Sequence, residues 1–431
     1  MSTARFRRLL RLLAFVPLLG TPVFVPAQLP PPNVLLTEPR AALLSSGPFD
    51  LHTRASTAFI YDDNISLHDR EDLGPGIGTR LRDVPTGGDF IYSFSPGLIV
   101  TKPATLGGSS RSVFSAEYSP SFIFFMKNDE ENSIDHSARL DVGYAFTKLT
   151  LSLVQNFEAT AGGVVDVGTR VDRNYYATAA ELRYEMTEKT FFQLDGNYRV
   201  TDYETLTDSE EWSATPTVNY QISPKVIVGL GLTAGQLFVG QQTLNVLTNL
   251  TQTNRFVTVE TEPQTYLGPT VRASYKTTEK TDVSLSVGGE WRQYSDDSDS
   301  FSPVFSLVGS YRPFEGTAIT LEGHRRQQNS AVLNGQNYIA TGGSIGVRQR
   351  LRERLFATFT SSYDHSDYKS TDRNVRATRQ DDYFLMRYGL EAIIGRSWTV
   401  GLFHQYREDI STDKRFSFDN NQVGIQAGWG Y

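Results

Sequence analysis

The sequence predicts an all-β chain that crosses a membrane as an up-and-down antiparallel β-barrel of about eighteen strands. Three observations carry that expectation. The last ten residues alternate without a break, placing Val423, Ile425, Ala427, Trp429 and Tyr431 on one face and Gln422, Gly424, Gln426, Gly428 and Gly430 on the other. The final residues of a soluble domain usually fray, so period two carried to the terminal carboxylate marks a strand that closes something. Segments of about a dozen residues with the same alternation recur along the chain, joined by tight turns and longer loops in strict succession. Across these segments one face is aliphatic and aromatic while the other is charged.

Composition agrees. The 431 residues include no Cys, so neither a disulfide framework nor a Cys-bearing metal site is available. With 12% aromatics, 35 Gly and 4 Met, the balance favours strands and turns over helices. Beyond residue 27 no run approaches the ~20 apolar residues of a membrane helix. Barrel strands escape that test because polar residues dilute the apolar ones one to one.

In chain order, Met1 to Arg11 carries Arg5, Arg7, Arg8 and Arg11, followed by an apolar run to Val25-Pro-Ala27, which predicts a signal peptide over 1–27. Its removal takes the formal charge from −7 to −11, an acidic balance that argues against a nucleic-acid partner. Residues 28–48 are Pro-rich and too short to pack a core or plug a wide barrel, hence an extended periplasmic lead. The barrel is expected over 49–431, its strands near 51–61, 89–101, 111–125, 135–146, 149–159, 174–186, 190–202, 211–222, 225–240, 263–276, 281–294, 300–312, 317–328, 338–350, 354–366, 383–395, 397–409 and 419–431. Tight connections such as Thr147-Lys148, Ser223-Pro224 and Gly395-Arg396 alternate with longer acidic ones such as 128–132, 208–211, 295–299 and 364–382. Short turns in the periplasm and long loops outside are the asymmetry of outer-membrane barrels.

Phe146, Tyr184, Tyr220, Tyr275 and Tyr311 precede tight turns on the face assigned outward, and Phe192, Trp291, Trp398 and Trp429 share that face. Rings at one level suit a headgroup interface. The opposite face carries Arg139, Arg183, Arg199, Arg272, Arg292, Arg312, Arg326, Arg348, Arg350, Arg387 and Arg407, with Glu117, Asp141, Glu181, Glu185, Asp195, Glu290, Glu322 and Glu391. An Arg facing lipid at the midplane costs about 2–4 kcal/mol, so that face lines a lumen. Gln155, Arg325 and His404 fall on the nominal outer face and point to a bulge or a register slip nearby.

Residues 57–64, Thr-Ala-Phe-Ile-Tyr-Asp-Asp-Asn, with the Ser-Pro-Gly of 89–98 and the Tyr-Ser-Pro of 114–122, resemble the Putative beta-barrel porin 2 family of Gram-negative outer membranes. The similarity is pointed over 57–157. It implies an outer-membrane location, lipid contact, and either solute passage or a supporting role in envelope polysaccharide export. It assigns no reaction and no site residue. Trp429 and Tyr431 resemble the terminal signal that the barrel-assembly machinery reads in such barrels.

Candidate chemistry is thin. Asp62, Asp63 and Asn64, with Asp69, Glu71 and Asp72 nearby, offer hard oxygen ligands, but without EF-hand spacing an Asx turn at a loop mouth is the preferred reading. His52, His68, His136, His324, His365 and His404 show neither a nucleophile-base pairing pattern nor metal spacing, so no enzyme, metal or cofactor is expected. The two longest loops, 73–88 and 240–261, either fold inward as a constriction or extend outward. Eighteen strands leave an aqueous bore unless a loop fills it, which predicts a passive channel for small hydrophilic solutes. The alternative is a non-conducting structural or docking component of an export or secretion assembly.

Overall fold

The computed structural model describes residues 42–67, 87–102, 111–247, 254–259, 262–278, 280–294, 299–371 and 378–430. The expected signal peptide, the lead as far as residue 41, most of the 73–88 loop and Tyr431 lie outside the described residues. Eighteen strands form the wall: β1 (Phe49–Asp62), β2 (Asp89–Lys102), β3 (Ser112–Phe125), β4 (Ser133–Ala145), β5 (Leu149–Val164), β6 (Thr169–Glu185), β7 (Thr190–Tyr203), β8 (Ser209–Ser223), β9 (Val226–Val239), β10 (Gln264–Thr278), β11 (Thr281–Gln293), β12 (Asp299–Tyr311), β13 (Thr317–Asn329), β14 (Gln336–Arg352), β15 (Leu355–Ser370), β16 (Arg379–Ile394), β17 (Trp398–Ser411) and β18 (Phe418–Gly430). Each pairs antiparallel with its neighbours, and β18 returns to β1 in a register running from Arg54↔Gly430 to Asp62↔Gln422. Closure is what lipid demands, since an open edge would leave backbone donors and acceptors unpaired in hydrocarbon.

The seam is locked at its outer end. Asp62 accepts from Asn64 N (2.8 Å), Asn420 Nδ2 (2.5 Å) and Gln422 Nε2 (2.6 Å), and Asp63 accepts from Asn421 N (2.7 Å). The bond within residues 62–64 is an Asx turn, and the remaining lone pairs hold the last strand to the first.

The outer face shows Phe59, Phe90, Tyr92, Leu151, Leu230, Val271, Trp291 and Leu402 exposed, and Phe146, Tyr184, Tyr220, Tyr275, Tyr311 and Trp398 form a belt at the short-turn end. So much exposed apolar surface is untenable in water and ordinary against lipid. Gln155, Arg325 and His404 do lie on the outward rows; pairing runs unbroken past Gln155 and His404, while the β12–β13 ladder ends at Phe305↔Arg325. Among the described residues, register shifts occur at Val226/Ile227, Lys276/Thr278 and Arg350/Arg352, all at short-turn ends. Arg325 is satisfied locally, donating to Pro303 O (3.2 Å) and Thr341 Oγ1 (2.6 Å), and His404 stacks on Tyr388.

The strands run past their expected ends on the long-loop side. β5 continues to Val164 and β6 begins at Thr169, so a four-residue turn replaces the expected 160–173 loop. β15 likewise reaches Ser370 and β16 starts at Arg379. Both faces are wet above the membrane, so alternation lapses while the hydrogen-bond ladder continues. Residues 242–247 and 254–259 form a separate hairpin within the β9–β10 connection, and a short strand, Leu44–Ser46, pairs with the start of β1.

Candidate functional site

Each inward row alternates with the lipid-facing row of the same strand, so register alone aims its side chains into the bore. Arg139 donates to Asp141 and Asn156 (2.8 and 3.3 Å), and Arg183 donates to Glu185 (2.8 Å) while lying over the Phe191 ring. Arg199 donates to Glu211 (2.5 Å), whose other oxygen accepts from Tyr266 (2.7 Å). Arg272 meets Asp195 (2.5 Å) and the buried Arg292 meets Glu290 (2.8 Å). Arg348 reaches Glu391 (3.4 Å) and lies over Phe356, and Arg387 donates to Gln405 (3.1 Å) and lies over Phe403. Glu181 shares the inward row of β6 with Arg183. Arg312 does not line the bore from a strand, because β12 ends at Tyr311 and Arg312 sits in the following turn. Trp429 lies on the outward row opposite Trp398.

Six of these guanidiniums are therefore matched by a carboxylate: Arg139, Arg183 and Arg292 by one on their own strand, Arg199 by one on the next strand, Arg348 by one two strands away and Arg272 by one three strands away. Sequence reading had left them as separate charges, and it had missed Arg54, the partner of the inward Glu117. The signal was present: i and i+2 residues share a face, so Arg139-x-Asp141 and Arg183-x-Glu185 were pairs by spacing.

The bore itself is crossed near its outer end. The turn Val165–Gly168 and the loop 330–335 come from nearly opposite walls, and neither was expected to enter. Asp166 accepts from Ala331 N (2.8 Å), Tyr368 Oη (2.7 Å) and Arg379 Nη2 (3.0 Å), and the same nitrogen reaches Asp166 O (2.8 Å). Arg379 also meets Asp381 (2.9 Å) and is stacked between the rings of Tyr368 (3.9 Å) and Phe416 (3.7 Å). From the far side, Thr207 N donates to Ala331 O (3.0 Å) and Asn334 Nδ2 to Gly240 O (2.8 Å). The turn tolerates this only with glycine at 168: its φ is +67°, and a Cβ there would sit 3.2 Å from Phe416 Cα. Phe416 is presented by a single 3-10 turn in the β17–β18 loop, capped by Asp413, which accepts from Arg415 N (3.2 Å). The Arg415 guanidinium donates to Asp413 Oδ1 as well (2.8 Å), which holds the Asp413 carboxyl below its usual range.

Residues 64–67, at the start of the β1–β2 loop, also turn inward. Ile65 joins Ile60, Ile91, Ile123, Phe125 and Phe403, and Leu67 packs with Tyr383 and Phe418 against Val165. Of the two long loops expected either inside or outside, 73–86 lies outside the described residues, and 240–261 is described only as its hairpin. Two cavities flank the crossing. The larger, about 260 Å³, is lined by Arg199, Glu211, Tyr266, Arg272, Glu290 and Arg292; the smaller, about 80 Å³, lies toward β1–β6 and β17–β18.

The family model of Putative beta-barrel porin 2 matches residues 308–428, which run from the end of β12 into β18. The N-terminal motifs resemble the same family, but the matched region is the other end of the chain. No curated protein matches. Among solved structures, Acinetobacter baumannii OccAB3 is 9% identical with a TM-score of 0.43 over 89% of this chain and 100% of that one. Pseudomonas aeruginosa OccK10 (OpdN) is 11% identical, TM-score 0.38, over 89% and 99%. The copper transporter OprC is 8% identical, TM-score 0.43, over 91% and 82%. With a wall closed strand to strand, apolar outside and charged within, and with residues 308–428 matching that family, the chain is a porin-like β-barrel of the Gram-negative outer membrane.

Proposed function

We propose that the barrel is a passive channel for small hydrophilic solutes, closed at rest by the crossing at Asp166. The supporting observation is the cavity of about 260 Å³ directly beside that crossing, whose wall sets the charge pairs Arg199–Glu211 and Arg292–Glu290 among aromatic and aliphatic side chains. Alternating donors and acceptors replace part of a solute's hydration shell without a net field that would trap it. Passage requires the Val165–Gly168 turn and the 330–335 loop to part, and both are loops rather than wall. No reaction is assigned to the inward rows, so the reading is a channel and not an enzyme.

On this reading residues 1–27 direct export and are removed, 28–48 lead into the periplasmic mouth, and Trp429 with Tyr431 presents the last strand to the barrel-assembly machinery. The inward rows, with Arg139, Arg183, Arg199, Arg272, Arg292, Arg348, Arg387, Glu181, Glu290 and Glu391, form the solute path, and Arg312 stands at its periplasmic mouth. A planar-bilayer recording of the purified protein tests it, with discrete ion currents expected. The closed crossing also favours a second reading, a non-conducting scaffold that docks polysaccharide-export partners. Silence in both the native protein and a variant with the crossing broken would establish that reading instead.

A further inference from the structure

Asp409 stands apart from the other carboxylates at the crossing. It lies on the inward row of β17 near its outer end, 1% exposed, and neither carboxyl oxygen makes a hydrogen bond with a described residue. Its neighbours across the ladder are Tyr383 on β16 and Phe418 on β18, whose rings lie 6.5 Å apart. Leu67 from the β1–β2 loop packs with both rings, and Val165 of the crossing turn lies against them. The carboxyl thus sits at the base of an apolar cluster that holds two of the inward-turned segments to the wall. The other charged groups facing it are engaged. Asp166 and Asp381 both meet Arg379 (3.0 and 2.9 Å), Arg415 is tied to Asp413, and Arg407, two places back on its own strand, donates to Asn420 Oδ1 (2.9 Å). The outward residues at this level, Asp382, Glu408 and Asp419, are themselves charged, which places Asp409 above the hydrocarbon.

A carboxylate stripped of both water and donors is far costlier than the neutral acid in the same place. Burial pushes the Asp409 carboxyl up to about 8, and the nearby Asp381 adds to the rise. We propose that Asp409 is a proton switch for the crossing: as the neutral acid it lets Leu67, Val165, Tyr383 and Phe418 close over it, and as the carboxylate it draws in water and parts them. Its proton passes to water, and no other bond changes. Repulsion from Asp166 and Asp381 acts in the same direction, because Arg379 already serves both. Leu67 is held at φ +57°, a strained conformation for a bulky side chain, so its segment stays inward through that packing and leaves when the packing is lost. The closed crossing binds the proton more tightly than the open one. Closing is therefore fully favoured below the ordinary carboxylate range, weakens as pH climbs, and levels off above about 8. The inference rests on the channel reading only for the step from a parted crossing to a current.

Two readouts on the full barrel, taken from about pH 6 to about pH 9, test it. One is planar-bilayer current. The other is methanethiosulfonate labelling of Ala331→Cys, a buried position in the 330–335 loop of a chain with no cysteine of its own, each rate divided by that of a free thiol at the same pH. Both should rise about tenfold or more and then level off. Asp409→Asn and Asp409→Leu, which fix a neutral or apolar group, should hold both readouts at their low-pH level, with heat-modifiable gel mobility reporting folding. If one variant fails to fold, the other decides; failure of both would contradict a site that holds a neutral group. Flat labelling in the Asp409 background, or a rise that persists in a folded Asp409 variant, would overturn the switch. Labelling that rises without current at any pH would overturn the channel and leave the switch; current with flat labelling would do the reverse.

Discussion

Asp166, in the turn between β5 and β6, accepts a 3.0 Å hydrogen bond from Arg379 at the start of β16, joining nearly opposite walls of one barrel across its bore. Both side chains are less than a tenth exposed. A charge pair held so far from water is strong while complete, but removing one partner strands the other, typically at about 3–5 kcal/mol. That gives the crossing the character of a latch on a wall whose own stability rests on the closed ladder.

Asp166→Asn should therefore loosen the crossing without unfolding the barrel. Higher single-channel conductance, or more frequent openings, is expected in planar bilayers with heat-modifiable mobility unchanged. Identical traces from variant and native protein would show that the resistance lies elsewhere.

The paired wall sets ion preference. With Arg312 in a turn, ten of the eleven Arg read as inward remain, against the eight carboxylates read as inward and Glu211, a small cationic excess that predicts weak anion preference in concentrated salt and a drift toward cations in dilute salt, as the acidic loops concentrate cations at the mouth. Glu211→Gln leaves Arg199 with a neutral neighbour and should move the reversal potential toward anions at all salt concentrations. A shift toward cations would contradict the inward placement of both groups.

Topology is testable on intact cells. An epitope inserted at 128–132, between β3 and β4, or at 295–298, between β11 and β12, should bind antibody from outside, whereas one at 277–279, between β10 and β11, should not. Reversed labelling would invert the barrel.

Trp429 lies on the lipid-facing row of the closing strand, opposite Trp398. Trp429→Asp, and separately deletion of Tyr431, should leave precursor in the periplasm with little heat-modifiable protein in the outer membrane. Normal membrane yield of both variants would remove the assembly role proposed for this end.

The wall was legible in the sequence because membrane crossing imposes a local rule. A strand with lipid on one side and water on the other must alternate, so Val423 to Trp429 or Leu149 to Leu153 declares both strand and face without knowledge of its neighbours. Counting such segments yielded all eighteen strands. The rule stops where the second face also becomes wet, which is why β5 and β6 were cut short at residues 159 and 174 instead of meeting at a tight turn over 165–168.

What fills the bore obeys no local rule. Asp166 in Val-Val-Asp-Val-Gly reads as an ordinary turn residue, and Arg379 as the edge of an acidic loop. The two are 213 positions apart, and only closure of the ladder brings their strands to facing sides of one cylinder. Alternation fixed which residues point inward, since that depends on each strand alone. Which inward groups meet depends on register and curvature summed around the whole barrel, and that only the tertiary structure decided.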